Sequence, residues 1–431
     1  MPRKICVIAL CSLLLPSVCL TAQPASSAAA QGRRPSQVLR DFAEQQRKLQ
    51  EDFDQDVSDG KAQVYEWEPR AEPLRKLAAA RAAGFKVADW KGDELLALAA
   101  LHQQAEAFDA AANAYRLWLT ADSKSRNALR VRQALIRMLL ESDQLDEAQK
   151  LLEELFRQMP EEPLQFLSLV GLHKDLALAL HNRAKYDLAA KYARRGYDVA
   201  QNSDKFRRVD EMAQAMVERD RLSLAAIFIA AQEKSGFQKE AEEFNQRVQK
   251  NGFDRQAGSK QFFETELAQA RLLGTPASDL LAARWLDVSP ETKSKPLAEL
   301  RGKVVLLDFW AMWCGPCAAA FPHFREFQAK YGGKGLEIIG VTRFFGRSDG
   351  VEDLSREQEW KALLTFKTKH RLNYPLVVGK LDDITNDERY GIAALPTIVL
   401  IDRRGNIRHI KRGVGEYRKL ERQIKRLLDE Q

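Results

Sequence analysis

Two cysteines stand two residues apart in the stretch FWAMWCGPC, Phe309 to Cys317, and no other residues in the chain offer as much chemistry. A pair at this spacing can be half of a metal site, a structural disulfide or a redox centre. Zinc requires four ligands, yet the chain has no second CxxC, and its six histidines (His102, His173, His181, His323, His370 and His409) are scattered. A bridge across two residues closes almost no loop and so gains little chain entropy. Exported proteins that rely on disulfides for stability carry several cysteines at wider spacing. Redox chemistry is the reading that remains.

The elements around the pair suit that chemistry. KVVLLDFW has the pattern of a buried strand, and WCGPC lies where that strand gives way to a helix. Cys314 is thereby expected at a helix N-terminus, facing unpaired N–H groups and the positive end of the dipole. Both favour thiolate over thiol, and the thiolate is the nucleophile. Gly315 allows a tight turn, and Pro316 fits a first helical turn, which needs no donor there. Cys317, one turn on, is expected to be withdrawn from solvent yet able to resolve a mixed disulfide on Cys314.

At 431 residues the chain is long enough for two or three domains. Hydrophobic residues at 45% and charged residues at 29% describe an ordinary soluble protein. The net charge of +7 is spread along the chain, without the aromatic interleaving of a nucleic-acid surface. Arg403, Arg404, Arg408, Lys411 and Arg412 read as a solvated face, so nucleic acid is not an expected partner.

The first residues read as a targeting segment. Arg3 and Lys4 precede the apolar run ICVIALCSLLL, which Pro16 breaks, and small residues follow. We read 1–22 as a cleaved export signal and 23–35 as a flexible linker, with an uncleaved membrane anchor as the alternative. Val18 before Cys19 makes a poor lipobox. Cys6, Cys11 and Cys19 leave with the signal, so only Cys314 and Cys317 remain in the mature chain.

From Ser36 to Leu273 the apolar spacing is helical throughout. One phrase recurs there: AFDAAANAY at 107, QLDEAQKLL at 144, KYDLAAKYA at 185 and GFQKEAEEF at 236. Each follows an apolar helical segment and carries an alanine where two helices could approach closely. The intervals fall in the range of helix-pair repeats, and 36–273 loosely resembles a tetratricopeptide-like array of roughly four hairpins. An irregular helical bundle is the alternative. An array would present a concave surface to a peptide or protein.

LLGTPASDL carries the turn signals of a boundary, and 274–284 reads as a linker. Beyond it strands and helices alternate, then comes a hairpin turned by RRGN and a last helix. The fold class expected is therefore multidomain, an all-α helical-hairpin array followed by an α/β domain with a mixed sheet over 285–431.

That second domain resembles the thioredoxins, and more closely their exported branch, the TlpA/ResA-like thiol–disulfide oxidoreductases. The resemblance rests on LAELRGKVVLLDFWAMWCGPC, Pro322 in the following helix, YGGKGLEIIGVT and ALPTIVLIDRRGNI, in the family's order. It implies a thioredoxin fold in which Pro396, following Leu395, is cis and lies opposite the cysteines, shaping the substrate groove and keeping metal from the site. It also implies that Asp308 is buried beneath Cys317 and moves its proton. The groove is expected to include Trp313, Gly315, Pro316, Leu395 and Pro396, and no cofactor or metal is implied. Ala320 and Phe321 stand where many exported relatives have an acidic residue before the helix proline. The polar stretch RFFGRSDGVEDLSREQEW, 343–360, is longer than a minimal thioredoxin needs and reads as a solvated surface loop, with a lid near the site as the alternative.

Gly-Pro between the cysteines resembles the reducing members. The leading expectation is an exported thiol–disulfide oxidoreductase that reduces protein disulfides, placed in the periplasm or another extracytoplasmic space. Its partners would be disulfide-bearing proteins and a membrane-bound or exported electron donor. One alternative makes the helical array a protein-binding module with an auxiliary redox domain. Another is thiol peroxidase, against which stand the CxxC context and Ala311, where a peroxide pocket typically needs Thr.

Overall fold

The computed structural model describes residues 32–62, 67–158, 163–201, 210–251, 253, 258–286, 297–348, 350–379 and 385–430. The segment read as an export signal, and residues 23–31 of the linker after it, lie outside them, while Pro35 at the linker's end already opens the first helix. By contacts the chain divides into two compact units. One consists of Met1–Leu176 with Asn202–Val217, the other of Ala177–Gln201 with Glu218–Gln431.

The first unit is helical. Helices α1 (Pro35–Ser58), α2 (Trp67–Ala82) and α3 (Gly92–Gln104) pack on one another. Then α3 packs on α4 (Phe108–Ala121), α4 on α5 (Ala128–Glu141) and α5 on α6 (Leu145–Arg157). The buried face of α6, Leu145, Ala148, Leu152 and Leu155, has the three-to-four spacing of an amphipathic helix.

The recurring phrase proves to be one turn built four times. Glu106, Asp143, Ala184 and Gly236 each take a positive φ, of 55°, 66°, 56° and 87°. The next N–H, of Ala107, Gln144, Lys185 or Phe237, donates back to the carbonyl of His102, Leu139, Leu180 or Gln232. This is the six-to-one bond of a left-handed helix cap. Each turn leads into a helix whose alanine, Ala111, Ala148, Ala189 or Ala241, is buried. Two of the turns belong to the first unit. The other two, which open α8 (Tyr186–Ala200) and α10 (Gln238–Asn251), belong to the second. Helix α7 (Pro163–His181) precedes α8, α9 (Glu211–Lys234) lies between α8 and α10, and α11 (Ser259–Leu272) completes the helical series.

The second unit also carries a six-stranded sheet, made of β1 (Ala282–Leu286), β2 (Val304–Phe309), β3 (Leu336–Thr342), β4 (Leu376–Gly379), β5 (Thr397–Ile401) and β6 (Ile407–Arg412). Its order is β1-β4-β3-β2-β5-β6. Strands β2, β3 and β4 are parallel, while β1, β5 and β6 run antiparallel to their neighbours. Helices α12 (Gly315–Tyr331), α13 (Arg356–Lys369) and α15 (Tyr417–Asp429), and the single turn α14 (Asn386–Arg389), complete the domain. This is the mixed sheet with helices that the thioredoxin resemblance implied. Strand period divides the core: Val304, Leu306 and Trp310 join the cysteines and α12 on one face, and Val305, Leu307 and Phe309 line the other.

Two readings of the sequence change here. The stretch 274–284 is built into the domain, because Gly274 donates to the Ile407 carbonyl, Ala277 donates to that of Gly405, and the chain then enters β1 on the edge of β4. AARWL is short and half-exposed, so its alternation carried little signal. The basic cluster is mostly not a solvated face. Arg408 pairs with Asp402 and Glu430, Lys411 with Glu416 and Arg412 with Glu266 of α11.

The third hairpin turn places a Cβ where the fourth has none. Ala184→Gly should therefore stabilise the protein by about 1 kcal/mol. Denaturant unfolding of the full chain measures this, and a loss of stability would show that the left-handed cap carries no strain at Ala184.

Candidate active site

Strand β2 leaves the sheet at Phe309, and five residues later the chain caps α12. Cys314 is the N-cap, in an extended conformation, with Gly315 and Pro316 in the first turn. Its sulfur accepts the Cys317 N–H at 3.2 Å, where a Ser or Asp oxygen usually acts. The two cysteines are bonded to each other, with Cα atoms 5.2 Å apart. Cys317 is sealed from solvent, and Cys314 shows only 6% of its surface, between the exposed Trp313, Gly315 and Pro316.

Asp308 lies on the cysteine side of β2 by strand alternation, between Gly340 of β3 and Ile398 of β5. It is fully buried, and neither carboxyl oxygen has a hydrogen-bond partner among the described residues. Burial in apolar surroundings pushes its pKa well above the usual carboxylate range. The Tyr374 hydroxyl and the Trp310 indole N–H are buried on the same face, likewise without a partner among the described residues. Burial, and then the charge of Asp308, push the Tyr374 phenol upward. Gly340 pairs with Asp308 across the sheet, and a Cβ at that position would stand 2.5 Å from Leu376 Cδ2, 2.9 Å from Trp310 Nε1 and 3.4 Å from a Tyr374 ring carbon, so a larger residue would force these side chains to move. Sequence reading missed both: the signal for Trp310 was the strand period, which sets it on the face of Asp308 two residues before it, whereas nothing in the local pattern of Tyr374 marks it as the neighbour of a carboxyl two strands away.

The peptide between Leu395 and Pro396 is cis. Thr397, next in the chain, pairs with Phe309, which sets Pro396 at the end of β2 from which the cysteine turn departs. Leu395 packs against the cluster that contains both cysteines. Trp313 is 37% exposed, and the long loop reaches it: the Phe345 ring meets it edge-on at 5.4 Å and the Arg347 guanidinium lies over it at 4.0 Å. The solvated-loop reading of 343–360 thus fails for Phe345 and Arg347, since an apolar ring beside a reactive sulfur is a surface worth covering.

Residues 274–410 match the AhpC/TSA family. A ResA thiol–disulfide oxidoreductase of Geobacillus thermodenitrificans (strain NG80-2) is 31% identical over 152 residues, which span 35% of this chain and 75% of that protein. The chain belongs to the ResA family of thiol–disulfide oxidoreductases. ResA of Oceanobacillus iheyensis is 34% identical over 125 residues, 29% of this chain and 57% of that one. A thiol:disulfide interchange protein from Bacteroides sp., solved in solution, is similar over 35% of this chain and 90% of its own, at 26% identity and a TM-score of 0.28. The AhpC/TSA match runs from β1 into β6, takes in both cysteines, Asp308 and Pro396, and begins after α11.

A pH-linked stability follows from Asp308. The folded chain holds this proton more tightly than the unfolded chain, so stability falls as pH rises from the ordinary carboxyl value of 3.8 toward the raised value. Asp308→Asn should remove that decline, leaving the variant at least as stable as the parent at neutral pH, with the gap narrowing in acid. Denaturation across pH checks this. An unchanged slope would mean that Asp308 titrates normally.

Proposed function

We propose that the protein is an exported reductant of protein disulfides, acting by dithiol–disulfide exchange. The observation that carries the reading is the asymmetry of the pair. Cys314 caps a helix among exposed residues, while Cys317 is sealed against the sheet face that holds Asp308. In the first step the Cys314 thiolate attacks a substrate disulfide, forming a mixed disulfide and releasing one substrate thiolate. Cys317 then gives its proton to ionised Asp308, directly or through a water, and attacks Cys314 sulfur. The second substrate thiolate leaves, and two electrons have passed from the dithiol to the substrate. A carboxylate of raised proton affinity is the better base for a thiol, whose ordinary pKa is about 8.5.

Trp313, Gly315, Pro316, Leu395 and Pro396 form the groove for the polypeptide around the target disulfide. The first three are exposed around Cys314, and the last two lie at the adjoining end of the sheet. The targeting pattern read in residues 1–22 supports a periplasmic or other extracytoplasmic site for the reaction. A membrane-bound or exported donor would return the pair to the dithiol. Among the described residues no helix is long and apolar enough to cross a membrane.

Insulin reduction at the expense of a chemical dithiol tests the direction of exchange. Cys317→Ser should accumulate disulfide-linked adducts that Cys314→Ser lacks, and equal adducts from both would reverse the roles. Asp308→Asn should slow resolution by about 10²-fold while leaving the first attack nearly unchanged. Stopped-flow separation of the two steps measures this, and an unaltered resolution rate across neutral pH would remove Asp308 from the chemistry.

A further inference from the structure

Glu359 lies in the first turn of α13 and is 2% exposed, a burial that carboxylates accept only when their charge is met. Among the described residues no cation pairs with it. Its Oε1 instead accepts the N–H of Phe345 and its Oε2 that of Gly346, both at 2.9 Å. Charge-assisted bonds of this kind are the stronger sort, and the N-terminal end of a helix favours the negative charge further. Gly346 takes a φ of 74° and accepts the N–H of Leu354, so the chain turns sharply just where Glu359 grips it. On one side of the grip Phe345 meets Trp313 edge-on. On the other Arg347 covers the same ring, its own ion pair to Glu352 being loose at 3.7 Å. Trp313 immediately precedes Cys314, so the two side chains stand beside the reactive turn.

We propose that Glu359 is a positioning residue, and that the Phe345–Arg347 surface it holds against Trp313 is a wall of the groove for the polypeptide flanking the target disulfide. This rests on the exchange reaction proposed above, in either direction. A buried carboxylate spanning two consecutive amides fixes backbone, whereas an exposed pair would fix little. The loop therefore meets the substrate already ordered, and docking does not have to bear the entropy of ordering it. The wall carries an aromatic edge and a guanidinium whose outer N–H groups can meet a substrate carbonyl. These features suit a polypeptide better than a small disulfide.

Glu359→Gln tests the assignment, since the amide keeps the shape but can accept only one of the two N–H groups. In the full chain the KM for insulin should rise about ten-fold, the worth of one charge-assisted bond, with kcat held within about two-fold. Trypsin should cut after Arg347 faster than in the parent at unchanged melting temperature. Arg347→Ala, a surface change, should also raise KM. An unchanged KM in both variants, or a loss confined to kcat, would overturn the proposal. So would unchanged trypsin cutting in a folded Glu359→Gln. Were that variant not to fold, Arg347→Ala would decide alone. Oxidation of reduced ribonuclease, assayed in parallel, keeps the two readings apart. A parent chain that oxidises and does not reduce would refute the direction proposed, while the KM ratios would still report on the wall.

Discussion

Everything at the redox centre depends on β2 being buried on both faces and paired on both edges. All six of its residues are inaccessible, with β3 on one side and β5 on the other. A strand in that position cannot shift register without turning its whole side-chain set to the wrong face. Its end is therefore a fixed point, and the turn that follows delivers Cys314 to the N-terminus of α12. The same strand carries Asp308 to the cysteine face, and its pairing with Thr397 brings Pro396 alongside. Carboxyl and cysteines share one continuous stretch, the proline comes from far along the chain, and one strand aligns them.

The cost of this arrangement is concentrated in Asp308. A buried carboxyl without a partner disfavours its own ionised form. Leu or Val there would pack better, and the sheet around it is made of such residues. The neighbouring Tyr374 hydroxyl and Trp310 indole give the face a polar patch, and Gly340 leaves room for it by lacking a Cβ. Cys317 faces the same side, the one on which the proposed proton transfer from thiol to carboxylate would take place.

The helices before the sheet follow a separate logic. Their turns close by the same left-handed cap whether the residue is Glu106, Asp143, Ala184 or Gly236, so backbone geometry recurs where residue identity does not. The buried alanine that follows lets the next helix approach. Two of the four turns are grouped by compactness with the sheet, and α11 is tied to it by Glu266 with Arg412 and by Gln269 with the Gly391 carbonyl. The change of texture near residue 274, from helical spacing to strands, marks a change in secondary structure. The limits of the compact units fall elsewhere.

Local chemistry was legible in the sequence because it is written in neighbouring residues. WCGPC specifies a helix cap with two sulfurs one turn apart, LEIIGVT and PTIVLID specify buried strands, and an alanine-bearing phrase specifies a helix after a tight turn. Each of these follows from spacing and backbone preference over a few residues. The sequence by itself therefore determined the redox pair, the helical and mixed α/β halves, and the membership of Asp308 and Pro396 in a familiar pattern. Other features depend on strand order and on side chains that meet across the sheet or from a distant loop. They include the edge pairing of AARWL, the engagement of Arg408 and Arg412, the nearness of Tyr374 to Asp308, and the hold of Glu359 on the loop over Trp313. Their signals are single residues with no local period, and only the tertiary structure decided what each one touches.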